Sequence, residues 1–163
     1  MRNRRQNSDS HRDERSAWDR GIGLLARREY SQRELRARLE RAGHDEEETA
    51  EALTRLRRSD YQSDARFGEM VVRTRIAQGY GPARIRAELR SHGLGEAVIR
   101  RMLDAAETDW EALAAAQLRK HYGSSPAADY AERSKRAAFL LRRGFSAATV
   151  RAVTHAEIGD SDG

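Results

Sequence analysis

The chain has 163 residues, a net charge of +5, only two prolines and no cysteine, which excludes disulfides, thiolate metal sites and thiol nucleophiles. Charged residues make up 35% against 38% hydrophobic, a balance that suits several small cores carried on exposed helices better than one large core. No apolar run is long enough to span a bilayer, and the start, MRNRRQNSDSHRDERS, lacks the apolar stretch of a secretory signal, so a cytoplasmic protein with no membrane contact is expected.

Taken in chain order, residues 1–15 form a polar, net basic segment expected to be a mobile tail. A first helical unit is predicted over 16–62. Its first helix contains Gly21 and Gly23, a GxG without the preceding strand that dinucleotide binding requires, so close helix packing is the expected role. Ser31 and Glu34 form a capping-box pattern ahead of Leu35 and Leu39, Gly43 ends that second helix, and Asp45 with Glu48 starts a third.

A second unit is predicted over 63–107. Asp64 is expected to cap a helix that runs through Phe67, Val71, Val72 and Ile76 and stops at Gly79. Gly81 and Pro82 restart the chain, because proline in the first helical position forfeits no hydrogen bond. Ile85 and Leu89 share a face until Gly93, and a third helix begins at Gly95 with Val98, Ile99, Met102 and Leu103 as its apolar stripe. Leu94 is placed to staple onto Ile99, as Phe145 is onto Val150; the first unit departs here, with His44 and Thr49.

A third unit is predicted over 108–156, followed by a short tail over 157–163. Thr108 with Glu111 reads as a capping box, the first helix ends near Gly123, and the second is expected from Ser125 with Pro126 as first residue. Ser146 caps the last helix.

These units are copies of one another. Tyr30, Leu35, Leu39 and Gly43 recur at an offset of 50 as Tyr80, Ile85, Leu89 and Gly93, and Leu89 and Gly93 recur at an offset of 51 as Leu140 and Gly144. In the third unit the equivalents of Tyr30 and Leu35 are Ala131 and Arg136, where the repeat has drifted. The expected fold is therefore all-α, three tandem three-helix repeats with about nine helices stacked into an elongated, curved array. Such arrays act through surfaces, so function is sought there.

No catalytic constellation is present in the sequence. The five histidines fall on separate elements without an HExxH or a helical pair, and neither a P-loop nor a GxSxG elbow occurs, so no metal, cofactor or enzymatic activity is expected. What remains is charge. Residues 65–106 carry a net +4, whereas 16–64 carry −1 and 107–163 carry 0, which singles out the middle unit. Arg86 and Arg90 lie four apart and are expected to point outward together beside the buried Ile85 and Leu89. Arg84 has Glu88 at the pairing distance, Arg73 stands near Glu69, and Arg75 is expected partly against the core. Together Arg73, Arg75, Arg84, Arg86 and Arg90 are the candidate partner-binding residues, and guanidinium chemistry suits protein carboxylates and nucleic-acid phosphates alike. Tyr30, Tyr80, Trp18 and Trp110 read as packing residues, Phe67 and Phe145 as core, and the interleaving of exposed aromatics with basic residues that single-stranded nucleic acid favours is missing from the sequence.

The motifs carry a resemblance. Asp64, Arg66 and Phe67 with Val72, Arg73 and Arg75, then GYGPARIRAEL from Gly79 to Leu89, LLARREYSQRELRARLERAG from Leu24 to Gly43, and FLLRRGFSAATVRAV from Phe139 to Val153 together resemble the RecX family of bacterial regulatory proteins, over about residues 17–155. The resemblance implies an all-helical array of three three-helix repeats that binds the recombinase RecA and its nucleoprotein filament on single-stranded DNA, restraining strand exchange, ATP hydrolysis and the coprotease activity behind the SOS response; a monomer is expected. A stand-alone DNA-binding array acting through the basic middle repeat is the alternative. Against it, the third helices begin EEET, EAVI and AATV, acidic or apolar starts that suit a phosphate-lined groove badly.

Overall fold

A computed structural model describes residues 15–155. The two expected tails fall outside these residues, apart from Arg15. The described residues form nine α-helices and no strand: α1 Ala17–Leu25, α2 Gln32–Arg41, α3 Glu46–Arg58, α4 Asp64–Ala77, α5 Pro82–Ser91, α6 Glu96–Ala105, α7 Trp110–Tyr122, α8 Tyr130–Arg142 and α9 Ala147–Thr154. The chain divides into two compact units, Met1–Phe67 and Gly68–Gly163, and the division falls inside α4.

In the first unit α1, α2 and α3 pack on one another around Ala17, Tyr30, Leu35, Leu39, Ala52, Leu53 and Leu56. Gly21 supplies the close packing expected of it, since a Cβ there would stand 2.6 Å from Leu56 Cδ1, whereas Gly23 faces open space. In the second unit Gly68 plays the same part on α4, where a Cβ would stand 2.9 Å from Leu94 Cδ2 and close on the Met102 thioether. On α7 the fully buried Ala114 sits in the core of α7, α8 and α9 with Leu118, Ala137, Leu140, Phe145 and Val150. A small residue on the first helix of each repeat thus occupies a crowded position, and packing at this density has no room for a larger side chain.

Helix starts follow the capping rules, with three corrections to the residues expected. Ser31, Asp45 and Ser146 accept hydrogen bonds from the backbone N–H of Glu34, Glu48 and Thr149 as predicted. Asp64, expected to cap α4, is instead its first residue. Ser63 performs the capping, its Oγ accepting from Arg66 N at 3.2 Å, while Asp64 Oδ1 accepts from Gln32 N at 2.8 Å and Gln62 Nε2 at 3.0 Å. The cap of α7 is Asp109 in place of Thr108, accepting from Ala112 N at 3.0 Å. And α8 starts at Tyr130, not at Pro126, because Asp129 accepts from Glu132 N at 2.8 Å and Glu132 reaches back to Ala128 N at 3.1 Å, closing a reciprocal cap that the Ser125–Pro126 pair lacks.

Helix α5 is the exception. Its N-cap is Gly81, which has no side chain to offer, and its first residue is Pro82. The free N–H groups are satisfied from the third repeat: Gly81 N donates to the Arg143 carbonyl at 2.8 Å and Ala83 N to the Gly144 carbonyl at 2.9 Å. This approach of two backbones requires glycine on both sides. A Cβ on Gly81 would collide with the Gly144 carbonyl, and one on Gly144, whose φ is +95°, would stand 2.6 Å from Arg84 N. Gly43, Gly79 and Gly93 also hold positive φ, as expected for residues that end helices in the left-handed region.

Gly81→Ala is therefore expected to lower the unfolding free energy by about 1–3 kcal/mol through overpacking. Gly23→Ala, in an exposed helix interior with no neighbour within 4 Å, should raise it by about 0.5–1 kcal/mol. Urea denaturation of both variants beside the parent chain measures the contrast.

Candidate functional site

The predicted arginines lie on α4 and α5 of the second unit, and the structure divides them into committed and available groups. Arg75 is committed. Its Nε and Nη2 donate to Glu88 Oε2 and Oε1, each at 2.7 Å, and its Nη1 donates to Gln78 Oε1 at 2.8 Å. This is a bidentate, charge-assisted pair between helices, among the stronger polar contacts a half-exposed site can make. The hydrogen bonds from Arg75, and then its charge with those of His92 and Arg84, hold the Glu88 carboxyl below its ordinary range, against the opposing effect of partial burial. The same pair raises the guanidinium pKa of Arg75.

Arg84 corrects the sequence-based pairing. Glu88 is saturated by Arg75, and the Arg84 guanidinium lies over the Tyr80 ring at 4.1 Å. Arg143 lies over the same ring, also at 4.1 Å, so Tyr80 carries two guanidinium groups. The Arg143 side chain donates to the Gln78 carbonyl at 2.5 Å, the Gly79 carbonyl at 3.4 Å and Gln117 Oε1 at 3.2 Å. Two of these acceptors lie just past the end of α4, where carbonyls lack helical partners. Sequence reasoning passed over Arg143. The available signal was its place beside Gly144, the glycine at the offset of 51 from Gly93.

Arg86 and Arg90 do share a face, and both turn to one carboxylate. Arg90 Nη2 donates to Glu96 Oε2 at 2.9 Å, and Arg86 Nε stands 3.0 Å from Glu96 Oε1. That second contact is an ion pair without hydrogen-bond geometry, and Arg86 Nε is buried with no acceptor aligned to it. Glu96 is pulled below the ordinary carboxylate range, first by the hydrogen bond from Arg90 and then by the charges of Arg90, Arg86 and Arg100. Arg73 is exposed on α4 and, among the described residues, forms no ion pair with Glu69. Among the described residues no group of three or more His, Asp or Glu is placed to hold a metal ion, and no helix is long and apolar enough to cross a membrane.

The site is thus a basic helix face on which the half-exposed Arg86 and the exposed Arg90 share the Glu96 carboxylate at the start of α6. Models of the first, second and third three-helix domains of RecX match residues 17–56, 63–103 and 107–154. The chain belongs to the RecX family. Regulatory protein RecX of Stenotrophomonas maltophilia (strain R551-3) is 39% identical over 147 residues, covering 90% of each chain. That of Halorhodospira halophila is 41% identical over 144 residues, covering 88% of this chain and 89% of the relative, and that of Acidithiobacillus ferrooxidans is 44% identical over 132, covering 81% and 84%. Among solved structures, a crystal structure of regulatory protein RecX superposes with a TM-score of 0.72 at 26% identity, covering 85% of this chain and 70% of that one. The crystal structure of RecX from Lactobacillus salivarius gives 0.70 at 20% identity, covering 85% and 92%, and supports the fold alone.

The Arg75–Glu88 pair gives a pH dependence of known sign. A carboxylate whose pKa is depressed by folding contributes stability that is present above its ordinary value of about 4.5 and is lost as pH falls through the depressed one. The urea midpoint of the parent chain should therefore fall more steeply below about pH 4.5 than that of Glu88→Gln, which should also be the less stable of the two near neutrality.

Proposed function

We propose that this chain is a non-enzymatic cytoplasmic regulator that binds RecA and its filament on single-stranded DNA, and restrains the ATPase, strand-exchange and coprotease activities through which the filament drives recombination, repair and the SOS response. The observation that supports this reading is the run of all three RecX three-helix domains, in order, through residues 17–154. We assign the repeats to 16–62, 63–107 and 108–156, each offering a separate contact, with the chain acting as a monomer. Once one repeat is bound, the next engages at raised effective concentration, so modest contacts sum to firm occupancy of successive protomers.

Within that scheme Arg86 and Arg90 are the contact residues of the middle repeat, and the exposed Arg73 on α4 is a further candidate. Glu96 holds both guanidinium groups in one orientation while itself staying exposed, so a carboxylate of the recombinase can exchange with it at little desolvation cost. Arg75 and Arg84 are held by Glu88 and Tyr80 and steady α5 against α4. The commitments of Arg75 and Arg84 leave fewer free cations for the middle repeat as a stand-alone DNA-binding surface.

The test is the single-stranded-DNA-dependent ATPase of RecA during titration with this chain. The parent chain is expected to inhibit below one molecule per recombinase protomer. Changing Arg86 and Arg90 together to Gln should raise the half-inhibitory concentration by at least about tenfold, the loss of charge-assisted contacts, with helical content unchanged. A folded parent chain that leaves the ATPase untouched sinks the proposal.

A further inference from the structure

The first unit carries an aromatic and cationic cluster that the regulatory reading does not use. Trp18, in the first turn of α1, and Tyr61, just past α3, are 43 positions apart in sequence, but their rings meet edge to face at 5.9 Å between centroids and 82° between planes. The Arg55 guanidinium, from the C-terminal half of α3, lies 4.3 Å from the Trp18 ring centre. Tyr61 is 54% exposed, one of three large hydrophobic side chains among the described residues to be exposed.

This exposure is not looseness. Tyr61 N donates to the Leu56 carbonyl at 2.9 Å and Gln62 N to the same carbonyl at 3.1 Å, closing the end of α3 just after Asp60, which holds a positive φ of 61°. Gln62, 2% exposed, donates from Nε2 to the Tyr30 carbonyl at 3.2 Å. A solvent-facing ring is thus fixed by its backbone on both sides, with no core of its own to fill.

The charge around it is sorted along α3. Glu46, Glu47 and Glu48 occupy the first turn, whereas Arg55, Arg57 and Arg58 occupy the last, so the aromatic pair sits at the basic end. All three arginines are exposed, and among the described residues none forms an ion pair. Arg58, three positions beyond Arg55, shares its side of the helix. The aliphatic groups beneath, Leu53 and Leu56, are buried and add nothing to the outer surface. A protein-binding hot spot sets its aromatic anchors in an apolar patch; here the exposed carboxylate that precedes Tyr61, Asp60, is already paired with Arg66 at 2.9 Å, and rings beside Arg55 and Arg58 fit a ligand with flat apolar faces joined by anions.

We propose that Trp18, Arg55 and Tyr61 form a stacking platform for an unpaired base of a single-stranded nucleic acid, with Arg58 meeting a flanking phosphate. Tyr61 offers its open face to the base. Trp18 and Arg55 hold Tyr61 in place, and the site needs no recombinase. It stands independently of the regulatory function, and stacking makes it tolerant of base identity.

Trp18 is one of two tryptophans, so the full chain carrying Trp110→Phe reports from this site alone. An oligodeoxythymidylate titrated into that protein without RecA is expected to quench its fluorescence saturably. An abasic strand of equal length, which keeps the phosphates, should bind at least about tenfold more weakly. Adding Tyr61→Ala should weaken the oligodeoxythymidylate to a similar degree, whereas Tyr61→Phe should retain it, and Arg86→Gln with Arg90→Gln should leave it unchanged. Equal affinity for the abasic strand, an unaffected Tyr61→Ala variant, or no binding at low salt overturns the platform and leaves the cluster as a surface for another macromolecule. Because no recombinase is present, none of these results bears on ATPase inhibition.

Discussion

The second unit depends on one constraint: the N–H groups that begin α5 have no acceptor within their own repeat. Gly81 and Pro82 give that helix a start with no capping side chain, and buried donors without acceptors are costly enough that the chain must find them elsewhere. It finds them in the Arg143 and Gly144 carbonyls. The first repeat solves a related problem by other means, since Ser31 caps α2 locally while Gln32 N reaches Asp64. In both corners a helix-start donor is satisfied by residues that follow in the next repeat or beyond, so these corners are tied by directional bonds. The glycine–tyrosine–glycine–proline run at 79–82 then has one physical account. Gly79 takes a positive φ, Tyr80 bears two guanidinium groups, Gly81 admits another backbone, and Pro82 needs no acceptor.

The repeat, the helices and most of their ends were legible because they rest on local chemistry. Gly43, Gly93 and Gly144 end equivalent helices with positive φ, and Ser31, Asp45 and Ser146 cap where composition places them. Failures came where two neighbouring residues could each do the same local task and a distant partner decided between them. Ser63 caps α4 because Asp64 is drawn to Gln32 and Gln62, a choice that residues 63 and 64 do not contain. The cap at Asp45 shows the same rule: Glu48 turns to Ala17 N and His44 in place of closing on it, while Glu34 beside the Ser31 cap also pairs with Arg28.

The candidate site was legible as composition and much less so as geometry. A net +4 over 65–106 singled out the middle repeat, but a guanidinium on a long flexible stem has several carboxylates within reach, and sequence spacing does not rank them. Glu88 lies four residues from Arg84 and 13 from Arg75, and the structure pairs it with the more distant one, because α4 and α5 bring Arg75 alongside in bidentate geometry. The aromatic cluster was illegible for a related reason. Interleaving along the sequence is one way to place rings among cations, and folding Trp18 and Tyr61 against the last turn of α3 is another.

The drift in the third repeat is a coupled change, not decay. Where Leu35 and Ile85 fill equivalent buried positions, Arg136 is 9% exposed, and a lone charge so placed would be strongly unfavourable. It is not alone: Nη1 donates to the Ser125 carbonyl at 3.0 Å, Nη2 to Glu132 at 2.6 Å, and the guanidinium lies 5.0 Å from the Tyr122 ring centre. The late start of α8 leaves Ser125 in the preceding loop, where its carbonyl needs the donor that an aliphatic side chain would not supply. Glu132 meanwhile both caps the helix and pairs with Arg136, and its pKa is lowered first by the Ala128 N–H and then by Arg136. The substitution, the shifted helix start and the cap form one arrangement that anchors α8 at its beginning. The end of that same helix presents the Arg143 and Gly144 carbonyls to α5. Anchoring the near end of α8 is therefore part of how the far end holds the middle repeat, and with it the Arg86 and Arg90 face, in place.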